Sequence, residues 1–245
     1  MIKGLILSIQ FLTRIPINIP IDFGEGNLAK SSFFFSLAGM IVGGIAGILY
    51  YIVSYLNKDI ASFIAITTII IVTGGLHLDG LGDTFDGFLS ARDKEKVLKI
   101  MKDSRTGTYG VVAIILDILL KYILLSNMEG NIPLFLILSC GNGRLIAAFL
   151  MSFTKTARPG GLGDMFSSSG PRKYAVAGGI IYVVVTILIN PMFIVPLLFS
   201  ILSAILVSMK SYKIIGGLTG DVYGASIEIA EIVSLLGFLG VMQWI

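Results

Sequence analysis

The sequence predicts an all-α fold: a polytopic integral membrane bundle of about seven transmembrane helices, with a short interfacial helix at the N-terminus. Three observations predict it. Hydrophobic residues make up 55% of the chain and charged ones only 13%, where soluble domains carry roughly a quarter charged. So little polar surface cannot coat a globule. The apolar residues also come in continuous runs, not in the short alternating segments of a β-barrel. Finally, the cations fall almost wholly between alternate runs.

The N-terminal "MIKGLILSIQFLTRIPINIP" has a lysine before a short apolar stretch, but Arg14 interrupts it and no small-residue cleavage site follows. A helix lying in the membrane interface fits better than a signal peptide. Segments able to cross about 30 Å of hydrocarbon lie at 33–56, 60–76, 109–126, 132–153, 174–189, 191–208 and 222–244. Glycines at helical spacing in "GMIVGGIAG" (39–47) and "AGGI" (177–180) suit close helix packing in lipid. With an inside N-terminus, the inner segments 1–32, 77–108, 154–173 and 209–221 hold every lysine and arginine except Lys58, Lys121 and Arg144. The positive-inside rule then orients the chain in the cell membrane with these segments in the cytoplasm.

Residues 1–245 read as one membrane-embedded catalytic unit without a linker or an internal repeat. The lone Cys140 excludes an internal disulfide and a multi-cysteine zinc site. A net charge of +3 gives no reason to expect nucleic acid, and a homo-oligomer is compatible with the composition.

Chemistry concentrates at "HLDGLGDTFDGF" (77–88), directly after an uncharged run. On a helix, Asp79, Asp83 and Asp86 fall within an arc of ~60°. Stacked like charges repel unless a cation neutralises them. An all-oxygen set suits a hard divalent ion, magnesium or manganese. Each glycine in a helix costs about 1 kcal/mol relative to alanine, so Gly80, Gly82 and Gly87 call for a reason; the expected one is access for a bulky phosphate ester. His77, the lone histidine, points away from the aspartate face.

Downstream, "SARDKEKVLKIMKDSRTGTYG" (90–110) forms a basic amphipathic helix and a turn. Arg92, Lys102 and Arg105 are candidates for diphosphate oxygens, as are the hydroxyls of Thr108 and Tyr109, and Asp103 is a candidate further metal ligand. A second polar cluster, "GGLTGDVYGASIEIAE" (216–231), places Asp221, Glu228 and Glu231 at helical spacing. Ionised carboxylates inside a span cost about 2.5–3.5 kcal/mol each, so such residues usually face a cavity and serve function. Asp86, Asp221, Glu228 and Glu231 are the catalytic candidates, with Asp86 and Glu228 both in view as general base. Asp117, Lys121 and Arg144 offer structural partners for the glutamates.

"TGGLHLDGLGDTFDGF" with "IMKDSRTGTYG", "FLTRIP" and "GGLTGDVYGASIEIAE" resembles the cobalamin synthase family, the adenosylcobinamide-GDP ribazoletransferases, over essentially the whole chain. The resemblance implies transfer of adenosylcobinamide phosphate from adenosylcobinamide-GDP to the 5′-hydroxyl of α-ribazole, or to α-ribazole 5′-phosphate, with release of GMP. It implies Mg²⁺ held by Asp79, Asp83, Asp86 and Asp103, and substrate contacts from Arg92 and Arg105. Arg14, in the "FLTRIP" block, is a further substrate-binding candidate. "DTFDGFLSAR" (83–92) also approaches the Asp-x-x-Asp-Gly-x-x-Ala-Arg motif of CDP-alcohol phosphatidyltransferases, but with one residue too many and no downstream Gly-x-x-x-Asp-x-x-x-Asp. A cation-coupled transporter is the non-enzymatic alternative.

Overall fold

The structure, a computed structural model, describes residues 1–242. The expected last span, 222–244, runs past these residues, and its described part is helical to Val241. Helices account for the secondary structure among the described residues, apart from one isolated bridge between Thr156 and Leu218.

The amphipathic α1 (Ile2–Leu12) buries Leu7, Ser8 and Leu12. It lies over α2 (Glu25–Ser31) and the start of α3 (Phe35–Ser54). Gly39, Gly43 and Gly47 of α3 form one stripe against α8 (Ile132–Phe153). A β-carbon at any of them would collide with the backbone at Cys140, Leu136 or Pro133. The packing reading of that glycine run is therefore correct, and the α3–α8 contact is the most extensive in the molecule.

α4 (Lys58–Thr73) starts where the Asn57 side chain accepts a hydrogen bond from Ile60 N at 3.0 Å, a cap for an otherwise unpaired amide. It ends at Gly74 and Gly75, both left-handed with φ of +66° and +68°, a conformation that costs other residues 1–2 kcal/mol or so. Two such residues in succession turn the chain by 88° into α5 (Leu76–Leu89). α5 thus runs across the end of the bundle and not through it. The expected span at 60–76 is shorter than it looked, because its last residues belong to this elbow.

The remaining spans follow expectation. α6 (Lys94–Ile100) is the short basic helix, and α7 (Thr108–Asn127) crosses next. After α8, a loop carries the short α9 (Leu162–Ser168). Then come α10 (Arg172–Ile189), α11 (Ile194–Ile215) and α12 (Gly220–Val241). Among the described residues, six helices are long and apolar enough to cross a membrane, or seven spans counting the bent α4–α5 pair. Side chains such as Ile48, Leu116, Leu188 and Leu206 stand exposed around the outside, as a lipid-facing surface requires.

The two larger apolar cores stack along the bundle. One packs Phe135, Phe193 and Phe238 with Val42 and Leu197. The other, at the opposite end, packs Leu7, Leu12, Phe35, Phe166 and Tyr223. Alternation of the crossings brings α1, the α4–α5 elbow, α5, α6 and the start of α12 to this second end, together with nearly all the cations.

Candidate active site

α5 is helical, so Asp79, Asp83 and Asp86 share a face as the spacing predicts. α12 brings Asp221 to the same place, because Gly80 lets α5 approach the Asp221 backbone and Gly224 lets α12 approach that of His77. Asp79 is exposed, whereas Asp83 and Asp221 are partly buried. Burial, then the charges of Asp79, Asp221 and Asp86, push the Asp83 carboxyl up to about 7, against a lesser opposing pull from Arg158. Arg158 Nη1 lies 3.6 Å from Asp221 Oδ2, and its Nη2 donates to the Leu98 carbonyl at 2.7 Å. Thr219 Oγ1 donates to Asp221 Oδ2 at 3.2 Å.

Asp86 has a different task. It is buried and accepts hydrogen bonds from Gly107 N at 2.6 Å and Gly110 N at 2.9 Å. These are free amides at the first turn of α7, where a carboxylate also meets the positive end of the helix dipole. Asp86 holds α7 against α5, each of its oxygens accepting one of these bonds. The structure gives Asp86 a positioning role between α5 and α7, beside the expectation of a base or metal ligand there.

The glycines of this segment are likewise corrected. Gly80 faces α12, Gly82 faces Ile114 and Gly110 of α7, and Gly87 faces Val97 and Met101. They admit neighbouring helices and not a phosphate ester.

Glu228 and Glu231 lie among buried charges, Glu228 against a small cavity that Asp117 and Lys121 also line. Lys121 Nζ is paired with Glu228 and lies 3.0 Å from Glu231 Oε2 and 3.1 Å from Asp117 Oδ2. Arg144, fully buried, pairs with Glu231. All five side chains are enclosed. An ionised group in the bilayer core needs such partners, and the pairing gives both glutamates a structural role.

Asp103 is also placed elsewhere. Arg105 Nε and Nη2 donate to its two oxygens at 3.0 and 2.7 Å, and this pairing holds the Asp103 carboxyl down to about 2. Its charged neighbours are Arg105 and Lys99, not the aspartates of α5. Arg92, Lys102, Thr108 and Tyr109 are exposed at the same end of the molecule. No ion pair joins Arg92, Lys102 or Arg105 to Asp79, Asp83 or Asp221 among the described residues. Ala91, beside Arg92, has φ of +53°, a conformation uncommon outside glycine.

Among the described residues no three His, Cys, Asp or Glu side chains form a ready cage for a metal ion. The donor chemistry still suits magnesium. Asp79, Asp83 and Asp221 are hard oxygen donors, close enough to raise Asp83, with only Arg158 offsetting their charge. Magnesium is commonly held by one or two carboxylates together with substrate phosphates. Asp79 and Asp221, with Asp83 beside them, are the residues that would hold it.

Asp79 and Asp221 line the mouth of a cavity of about 400 Å³ beneath the N-terminal segment. Arg14 stands at the mouth, its stem packed on Gly74 and its amide donating to the Val72 carbonyl at 2.7 Å. Sequence reasoning missed both this cavity and Arg158. The signal available for Arg158 was "TARPGGLGD" (156–164), an arginine in a glycine-rich loop at a membrane exit.

Fold and site together define a polytopic helical membrane protein with an acidic cavity mouth at its cation-rich end. Residues 4–239 match the family described as cobalamin-5-phosphate synthase (CobS). Among similar proteins is the adenosylcobinamide-GDP ribazoletransferase of Clostridium novyi (strain NT). It is 41% identical over 241 residues, covering 97% of this chain and 96% of that protein. Proteins of the same name from Thermoanaerobacter sp. (strain X514) and Treponema denticola are each 38% identical and cover 98% and 95% of this chain. They are matched over 98% and 96% of their own lengths. No solved structure matches. The chain belongs to the cobalamin-5-phosphate synthase family.

Proposed function

We propose that this protein is an adenosylcobinamide-GDP ribazoletransferase that acts at the cation-rich end of the bundle, in the cytoplasm. The carrying observation is the meeting of Asp79 and Asp221 at one cavity mouth, with Asp83 beside them, from sequence blocks that lie far apart within the family match. An oxygen-donor group flanked by arginine suits a diphosphate and its divalent ion. The Lys and Arg surplus at the same end supports a cytoplasmic site.

A ribose hydroxyl oxygen of α-ribazole forms a new bond to the phosphorus that carries cobinamide. The bond from that phosphorus to the bridging oxygen breaks, and GMP leaves with it. The family's description names a 5-phosphate product. Such a phosphate survives only when a hydroxyl other than the 5′ attacks, so a secondary ribose hydroxyl replaces the 5′-hydroxyl expected from the sequence. Asp83 accepts the hydroxyl proton, since Asp86 and Glu228 are engaged elsewhere. Asp79 and Asp221 orient the diphosphate group, and Arg158 keeps Asp221 in place. Magnesium, when bound, supplies charge neutralisation at the leaving phosphate.

Asp79→Asn and Asp221→Asn tests the assignment in proteoliposomes. Each variant is expected to lose roughly 100-fold or more in turnover, the scale of removing one preorganised electrostatic group. Both should elute like the parent on size exclusion. Turnover within threefold of the parent in both variants would overturn it. A phospholipid synthase is not favoured by the family match, and its motif is broken by the extra residue before Ala91.

A further inference from the structure

We infer that the cavity beneath α1 is the pocket for the benzimidazole ring of α-ribazole, with the ribose at its acidic mouth; this rests on the ribazoletransferase reading. The walls are chiefly apolar and aromatic: Leu7 and Phe11 from α1, Met151 from α8, Tyr223 and Ile227 from α12. Several polar side chains among them are already committed. Gln10 Nε2 donates to the carbonyls of Ile17 and Ile19 at 2.8 and 2.9 Å. Thr13 Oγ1 donates to Ile9 O at 2.7 Å, and Thr73 Oγ1 to Ile69 O at 2.8 Å.

Three substrate groups compete for this space. A corrinoid macrocycle with its amide side chains is too large for about 400 Å³. Guanine carries several donors and acceptors along its edge, and the two buried side-chain atoms without a partner here, His77 Nε2 and Tyr223 Oη, are too few to pair them all. Dimethylbenzimidazole has a flat apolar body, two methyl groups and no exocyclic N–H. Such a ring gains from burial against apolar and aromatic walls. Its ribose then lies toward Asp79 and Asp221, where the transfer takes place, and Arg14 at the mouth faces a 5′-phosphate.

The test combines binding and steady-state kinetics on the full-length protein in detergent or liposomes. Equilibrium dialysis with α-ribazole alone reads the pocket without turnover. Met151→Trp fills the cavity and is expected to weaken α-ribazole binding and raise its KM at least tenfold. The KM for adenosylcobinamide-GDP should stay within twofold. Leu188→Trp, on the lipid-facing surface, serves as a matched control and should change neither. Met151→Ala covers the case in which the tryptophan variant does not fold. It enlarges the pocket and should lower the KM for a naphthimidazole riboside relative to α-ribazole by about tenfold.

Unchanged α-ribazole binding in folded Met151→Trp would overturn the pocket. So would a KM increase confined to adenosylcobinamide-GDP, or an unchanged base preference in Met151→Ala. Wild-type binding of α-ribazole that Met151→Trp abolishes, without any turnover by the wild type, would uphold the pocket and overturn the transferase reading. Turnover without a response to the pocket variants would do the reverse.

Discussion

Asp83 and Asp86 sit one turn apart on α5 in opposite environments. Asp86 is satisfied by two amides of α7. Asp83 is surrounded by Asp79, Asp221 and Asp86, and its carboxyl is raised from the ordinary 3.8 to about 7. Without a metal, the folded chain therefore holds a proton at Asp83 that the unfolded chain has released, between about pH 4 and 7. By linkage, this group's contribution to stability is present below that window and is lost as pH rises through it. Thermal unfolding in detergent with EDTA should show Asp83→Asn gaining on the parent between pH 5 and pH 8. An identical pH dependence in the two proteins would contradict the crowding of charge at this site.

At the scale of elements, α5 is placed by what its glycines lack. A β-carbon at Gly110 would overlap the Asp86 carboxylate and the Gly82 carbonyl. Gly110→Val should push α7 off α5, cost about 1–3 kcal/mol as overpacking and lower turnover. Gly44→Ala, on α3 where there is room for a methyl, should do neither. Chemical denaturation and turnover together check both, and a tolerated Gly110→Val would contradict the close α5–α7 contact.

The helical face of α5 was legible because aspartates at i, i+4 and i+7 are a local pattern. The order of the spans was legible from apolar runs and cations. Which carboxylate stays available was not, because the amides that occupy Asp86 belong to Gly107 and Gly110, beyond another helix. The glycines misled for the same reason, since their neighbours are tertiary. The glutamates of α12 carried the right spacing for a site, but Lys121 on α7 and Arg144 on α8 claim them.

Across the whole molecule, two charge clusters divide the labour. The enclosed one sets Asp117, Glu228 and Glu231 against Lys121 and Arg144 and ties α7, α8 and α12 together. Each group is costly in lipid alone, by about 2.5–3.5 kcal/mol, so their pairing fixes the arrangement of three helices, two of which, α7 and α12, pack on α5. The other cluster, at the end of the bundle, keeps Asp79, Asp83 and Asp221 beside the cavity with little offsetting charge. A bundle anchored by the first holds the second at the cation-rich end, where the proposed transfer takes place.

This second cluster is proposed to carry divalent-ion-dependent transfer from adenosylcobinamide-GDP. The most direct measurement is turnover by the purified protein in liposomes, with adenosylcobinamide-GDP, α-ribazole or its 5′-phosphate, and Mg²⁺, following GMP and the corrinoid product by chromatography. GMP and a cobalamin product are expected in equal amounts, lost with EDTA and restored by excess Mg²⁺. Equal formation of both products in the presence of EDTA, or none from folded protein with Mg²⁺ present, would contradict it.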